Sequence, residues 1–533
     1  MKASLLHEQR RAPPPDLWER WSSVLTHTHM LRSATAPFEQ AKRDLVEMCR
    51  TRRIDAAGIG SPWEPVSAAH YGQYERPDRD LYYSGRVDPE SVMDRESLAR
   101  LFEDLNRAAE GRTLFYQDNE TPKGRYGHMW YFGYHYDVPA WHDYGQDRPI
   151  QYYASDPNVE LNALTGQPHR RRSTLEIVAT QRKAGAVAVW AHPTSWWREK
   201  DHPFVTNIAS EVALHLLADG RLDGMVVQGY DACHRSYQAL WFHLLDTGAI
   251  VPGFGESDAA LDAGPEALGR RLYRTCFRAS RPLDARTVAA AARTGEAFAT
   301  SSAFLTLSVD GVPMGHVAES APGRQHRLRI EAYPAEGESA FSRLDVIGRG
   351  GTILASVPGF TGGVLEFGVE ADTVPSYVLA RAFGEHDDPD APRQQAIRHM
   401  AITNPVYLHA PGFAVRPATT QCSIRVSEQC LWLGGRLTFE TAAGEPLAQH
   451  HLQTGTLTAE MPASARVVLT LDGRVTTRFY LAMENVAVQS LLRYLHDGEF
   501  LRDYPALEPG EVPPAAFRFN AMRTALAQFA IEL

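Results

Sequence analysis

A chain of 533 residues is too long for one hydrophobic core, so two to four domains are expected. Apolar residues at 44% and charged residues at 22% are an ordinary globular balance, and a net charge of −10 argues against nucleic acid as the main partner, because phosphate binding needs a basic surface. Five scattered cysteines without a CxxC exclude a disulfide framework and a thiolate zinc site, and no apolar run approaches the roughly 20 residues of a membrane span.

Residues 1–20 read as a leader with a PPP turn. They lack the apolar core of a signal peptide, so a cytoplasmic setting with no membrane partner is the expectation. From Trp21 to about Thr300, short apolar runs alternate with helical patterns. SSVLTHTH is a predicted strand, and PFEQAKRDLVEMCRTRR is an amphipathic helix with basic residues in its last turn. RIDAAGIG is the next strand, ESLARLFEDLNRAAE a helix and RTLFYQDNE a strand. TLEIVATQRKAG, SEVALHLLADG and SYQALWFHLLDTG are helices, followed in turn by the strands AVAVWAHP, DGMVVQGY and AIVPGFGESD. Repeated strand–helix units of this length imply parallel strands with crossover helices, and closing them into a barrel puts functional residues at the strands' C-terminal ends.

Beyond Thr300 the pattern changes. FLTLSVDG, HRLRIEAYP, RLDVIGRGG, TILASV and YVLARAFG are strands separated by turn residues, an antiparallel sandwich ending near AITNPVYL. A second β-rich stretch (CSIRV to TTRFYLAM) and a helical C-terminal segment follow. The expected division is a leader at 1–20, a barrel at 21–300, a β-sandwich at 301–412, a second β-rich domain at 413–485 and a helical segment at 486–533.

Six residues of metal-ligand type lie at or just after predicted strand ends: His27, His29, Glu120, His128, His192 and Asp258. An HxH alone is weak evidence, since with 21 histidines about one such pair arises by chance. On a regular strand, residues i and i+2 share a face, so both imidazoles can reach one ion. A single His before Pro, or a single loop acid, is ordinary. Six such residues in successive strand–loop units are not.

These segments resemble the polymerase-and-histidinol-phosphatase (PHP) superfamily of metallohydrolases, in particular its carbaryl-hydrolase-like branch, over about residues 21–410. His27 and His29 match the opening HxH, Glu120 with Gly127 and His128 the E…GH segment, and Ala191-His192-Pro193 the HP strand end. Gly255-Glu256-Ser257-Asp258 matches the G-x-SD segment. Arg293–Gly315 resembles the junction into the branch's sandwich, and Ala401–Leu408 that sandwich's final strand. Two departures stand out. IDAAGIGSP puts Ser61-Pro62 where the family has Asp-His, and SDAA puts Ala260 where it has His. In members with three metals these positions largely serve one site, so the chain has lost that site and kept ligands for two ions. Glu64 or His70, just past the altered motif, are possible replacements.

The resemblance implies a PHP-type distorted (β/α)7 barrel followed by β-sandwich-like domains and a C-terminal helical segment. It implies one ion held by His27, His29, Glu120 and Asp258, and a second by Glu120, His128 and His192. Imidazole with carboxylate suits zinc, manganese or iron. The implied activity is a metallohydrolase that cleaves an ester, carbamate or phosphoester of a small organic substrate through a metal-bound hydroxide, with Glu120, Asp258 and His192 as catalytic residues. No GxSxG supplies a serine nucleophile. Asp55 and Asp231 are candidate acceptors behind the histidines. Trp63, Trp130, Tyr131 and Trp196 are candidate walls of an aromatic substrate pocket. Nearby cations are few (Lys123, Arg125 and Arg198), which favours a neutral substrate over a phosphate. The alternatives are a non-catalytic binding protein with a residual metal site, and an iron-dependent oxidative or lyase enzyme. Substrate and oligomeric state are not legible.

Overall fold

The computed structural model describes residues 1–29, 38–60, 95–120, 128–133, 178, 181–193, 217, 220, 222–229, 234–246, 248–260, 272–279, 281–337, 339–384, 399–413, 419–426, 436–440, 446–451, 455–462, 466–471, 474–480 and 531–532. It is a strand-rich mixed α/β structure with several sheets.

The first half contains β1 (Lys2–Arg10), β2 (Ser22–His29), α1 (Phe38–Thr51), β3 (Ala56–Gly60), α2 (Arg95–Ala108), β4 (Leu114–Glu120), β5 (His128–Phe132), β6 (Val187–Ala191) and β7 (Gly224–Gln228). It continues through α3 (His234–Asp246), β8 (Gly253–Gly255), β9 (Ala259–Ala260), β10 (Arg274–Phe277), α4 (Ala285–Thr294) and β11 (Ala297–Thr300). Strands β2 to β8 hydrogen-bond in chain order, and β9 pairs back on β2 in parallel. The pairs β2–β3, β3–β4, β6–β7 and β7–β8 are parallel, as strand–helix alternation demands. Strand β5 was not expected from the sequence. It lies antiparallel between β4 and β6. Strands β3, β6 and β7 are buried throughout, as covering on both faces requires.

Helix α1 covers one face with Leu45, Met48 and Cys49, and α2 adds Leu101, Phe102 and Leu105. The i, i+3 and i+4 spacing puts each set on one stripe, which packs on Leu25, Ala57, Ile59 and Phe115 of the strands. Helix α4 has a clear start and stop. The Asp284 carboxylate accepts from Thr287 N at 2.7 Å, Thr287 Oγ1 accepts from Asp284 N at 2.7 Å, and Gly295 closes the helix at φ 72°. The Thr287 N–H holds the Asp284 carboxyl below its usual range. The cap therefore stabilises at neutral pH, and its contribution fades as pH falls through that lowered value. Asp284→Ala is expected to cost about 1 kcal/mol in urea unfolding at pH 7, a difference that shrinks as the pH falls below the usual aspartate range.

The second half begins with β12 (Phe304–Val309), β13 (Val312–Pro313), β14 (Val317–Glu319), β15 (Arg324–Tyr333), β16 (Phe341–Gly348) and β17 (Thr352–Phe360). Next come β18 (Gly363–Ala371), β19 (Ser376–Phe383), β20 (Met400–Thr403) and β21 (Val406–His409). One five-stranded sheet runs β1-β18-β15-β12-β13. Its apolar face (Leu305, Leu307, Leu328, Ile330, Leu365 and Phe367) shares a core with Leu344, Val346, Val378, Ala380 and Leu408 of the facing strands. This is two-layer packing of alternating strands. Residues 1–20, read from the sequence as a leader, instead supply β1, an edge strand antiparallel to β18. The facing strands are not a separate sheet. Strand β11 pairs with β10 on one side and β20 on the other, so hydrogen bonding runs from the first half into the sandwich without a break.

Strands β22 (Thr419–Val426), β23 (Arg436–Glu440), β24 (Pro446–His451), β25 (Gly455–Pro462), β26 (Arg466–Leu471), β27 (Arg474–Tyr480) and β28 (Ile531–Glu532) form two further sheets, β25-β22-β28 and β24-β23-β26-β27. The C-terminal segment expected to be helical lies mostly outside the described residues. Its described part, β28, is a strand paired with β22.

Candidate metal centre

The geometry starts from an irregularity in β2. Leu25 pairs with Ala57 but Thr28 with Ile59, so two residues of β2 intervene against one of β3. His27 sits in this bulge at φ 58°, left-handed backbone that a side chain disfavours. Its N–H, lost to the ladder, donates to Asp118 Oδ2 of β4 at 2.9 Å. Asp118 lies over Gly58, where an added Cβ would come within 2.4 Å of Oδ2, so the carboxylate needs a glycine beneath it. The other Asp118 oxygen accepts from Trp130 Nε1 of β5. The Trp130 ring stacks on the His27 imidazole, with centroids 5.5 Å apart and planes 14° apart.

Glu256, one residue past β8, supplies the second clamp. Its Oε2 lies 2.7 Å from His27 Nδ1, and its Oε1 accepts from His192 N at 2.9 Å. Glu256 is fully buried, and burial raises its carboxyl pKa while His192 and His27 oppose the rise. With Glu256 ionised, His27 Nδ1–H is the donor and Nε2 carries a lone pair.

That Nε2 faces Asp258. The structure brings together His27, His192 and Asp258, all buried, with ligand atoms within 4.8 Å of one another. His27 Nε2 is 3.5 Å from Asp258 Oδ1, and His192 Nε2 is 3.6 Å from Asp258 Oδ2. These separations exceed ordinary hydrogen bonds. They match the spacing of about 3.4 Å between two atoms each bound 2.0–2.1 Å from one tetrahedral ion. The donor set and the spacing therefore fit a divalent transition metal. His192 and Asp258 also have positive φ, 22° and 41°, so all three gathered residues occupy unfavourable backbone.

The other three expected ligands are placed by backbone only, their side chains lying outside the described residues. His29 ends β2 opposite Gly60 and Ala260, and Glu120 ends β4 opposite Trp130. His128 pairs with Ala191, next to His192. His128 opens its strand rather than closing it, but β5 is antiparallel, so its first residue reaches the same rim. The resemblance divides His27 and Asp258 from His192 between two ions; the fold gathers these three around one carboxylate.

Several expectations need correction. Asp55 does not stand behind the histidines. Its oxygens accept from Ser23 N at 2.9 Å and from Arg281 at 2.6 Å, just ahead of β3 rather than at the strand end where His29 lies. Trp130 and Tyr131 are fully buried core residues rather than open pocket walls. Trp63, Glu64, His70, Lys123, Arg125, Trp196, Arg198 and Asp231 lie outside the described residues. The sequence reading missed Asp118 and Glu256 as positioning groups. In the sequence Asp118 stands two residues before Glu120, and Glu256 lies within the same GESD as Asp258; those spacings were the available signals.

No family model and no curated protein matches the chain. Among solved structures, PsfC from Pseudomonas syringae PB-5123 aligns over 50% of this chain and 88% of its own at 15% identity and a TM-score of 0.28. The lesion-specific endonuclease PfuEndoQ from Pyrococcus furiosus aligns over 51% and 56% at 14% identity and a TM-score of 0.27. Endonuclease Q bound to a 27-mer duplex with an abasic lesion aligns over 51% and 56% at 12% identity and a TM-score of 0.25. These are distant structural similarities to half of the chain, too low to establish a shared fold or activity.

Proposed function

We propose that this chain is a metal-dependent hydrolase of the PHP type, cleaving an ester, carbamate or phosphoester bond of a small organic substrate. The observation that carries the reading is the buried convergence of His27, His192 and Asp258 at metal-ligand spacing. The pairing order β2 to β8, with β9 returning to β2, supports a closed, barrel-like sheet of the distorted (β/α)7 kind. Parallel strands with functional residues on one rim are its usual working arrangement.

His27 Nε2, His192 Nε2 and Asp258 would hold the ion, with His29, Glu120 and His128 on the same rim as ligands for a second. A bound zinc, manganese or iron ion supplies Lewis acidity, which lowers the pKa of a coordinated water and polarises the bond to be cleaved. The protein's own part is to keep the site in register. Glu256 sets the His27 tautomer and ties it to the His192 backbone. Asp118 accepts from the His27 backbone N–H and from the Trp130 indole, and that indole stacks on the imidazole.

Elemental analysis of purified protein, with zinc and manganese titration calorimetry, is expected to find one or two tightly held ions. His192→Ala and Asp258→Ala are expected to lose at least one. The metal-loaded chain should also turn over generic aryl ester or aryl phosphate probes. Wild-type protein that binds neither metal tightly would overturn the reading.

A further inference from the structure

Strand β8 carries the chain into Glu256 and Asp258, yet among the described residues it has a regular ladder partner, β7, on one side only. Buried backbone groups need partners, so the other edge must be met in some other way. Side chains meet it. Thr275 Oγ1 accepts from Gly255 N at 2.9 Å, and Thr26 Oγ1 donates to Gly255 O at 3.2 Å. The first residue, Gly253, donates its N–H to Asn404 Oδ1 at 2.6 Å. Thr26 and Thr275 belong to strands beside β8. Asn404 does not: it lies in the turn between β20 and β21 of the sandwich, 151 residues away in sequence.

Asn404 is buried, and both ends of its side-chain amide are engaged. Its Nδ2 donates to Gly295 O, the C-cap of α4, at 3.0 Å, and its own N–H donates to Ala297 O at 3.0 Å. The side-chain amide thus ties the start of β8 and the end of α4 to the sandwich, and the backbone N–H of the same residue adds the start of β11. Neighbouring steric limits leave β8 little room to adjust, since a Cβ at Gly253 would meet Val227 and Trp241 within 3.0 Å.

We infer that Asn404 is a positioning residue for the metal centre, so that the sandwich is part of the site's framework rather than an appended domain. The inference rests on the metal reading above for its functional half. It acts through β8: Asn404 sets Gly253, Gly253 sets the path to Glu256, and Glu256 holds His27 and His192.

Asn404→Ala is expected to weaken zinc or manganese binding, titrated with the metal alone, by about 10-fold or more. Amide hydrogen exchange should speed up in residues 253–258. Ser301→Ala is the control. It removes a side-chain acceptor for Met400 N in the same junction without touching β8, and should leave both readouts unchanged. Asn404→Asp keeps an acceptor for Gly253 and should lose less affinity than Asn404→Ala, which also serves if the alanine variant folds poorly. Unchanged exchange at 253–258 in Asn404→Ala overturns the inference. So does equal loss of metal affinity in Ser301→Ala, which would mark a general effect of stability. If wild-type protein binds no metal, the functional reading fails, and the exchange data still decide whether Asn404 braces β8.

Discussion

Glu256→Ala is expected to lower zinc or manganese affinity about 10–100-fold and to destabilise the fold by about 1–3 kcal/mol for each group left unpaired. Two groups are at stake, His27 Nδ1 and His192 N, both buried. Glu256→Gln separates charge from shape. The amide oxygen can still accept from one partner, but its NH2 must face the other. Opposite His27 Nδ1, that NH2 requires an unprotonated Nδ1 and shifts the proton to Nε2, the nitrogen that faces Asp258. Stability should then fall less than in the alanine variant, while metal affinity falls nearly as far. Titration calorimetry and urea unfolding of the two variants together test this. Equal metal affinity in wild type and Glu256→Gln would show that the carboxylate's charge does not matter and that the amide oxygen keeps the His27 tautomer.

Trp130→Ala is expected to cost about 3–5 kcal/mol, the range for emptying a large aromatic site in a core. Against a total stability of about 5–15 kcal/mol, that is a large share. Trp130 is fully buried, stacks on Phe132 with centroids 4.8 Å apart as well as on His27, and donates to Asp118. Losing it removes packing and one hydrogen bond to a buried carboxylate. A residue lining an open pocket would behave differently, changing substrate preference with little effect on unfolding. Urea unfolding followed by circular dichroism distinguishes the two, and a loss below about 1 kcal/mol would return Trp130 to the pocket wall.

Much of the fold was legible because local pattern and tertiary burial agree. SSVLTHTH is β2 residue for residue, and the apolar stripes of α1 and α2 are those that pack on the strands. Where they disagree, the reading failed. HMWYF has no polar alternation, because β5 is buried on both faces, and nothing in it marked a strand. Helix α4 buries mostly alanines with Val288, too little apolar contrast to stand out. Strand β1 is an edge strand in which only Ala3 and Glu8 are half-buried, and its large apolar residues Leu5 and Leu6 are exposed, so no alternating pattern marks it. At the site, residue types on strand ends pointed to His27, His192 and Asp258. The residues that aim them were not legible. Asp118 is 91 residues from His27 and Glu256 is 229, and in sequence each is one acid among many. Nothing local marks a carboxylate that will meet a histidine only after folding.

The positive φ angles at His27, His192 and Asp258 set stability against use. Each such residue costs on the order of 1–3 kcal/mol that a glycine would not pay. Glycine at any of the three would relax the backbone and remove a ligand in one step. Variants of this chain enriched for heat resistance alone should therefore drift toward losing their own centre.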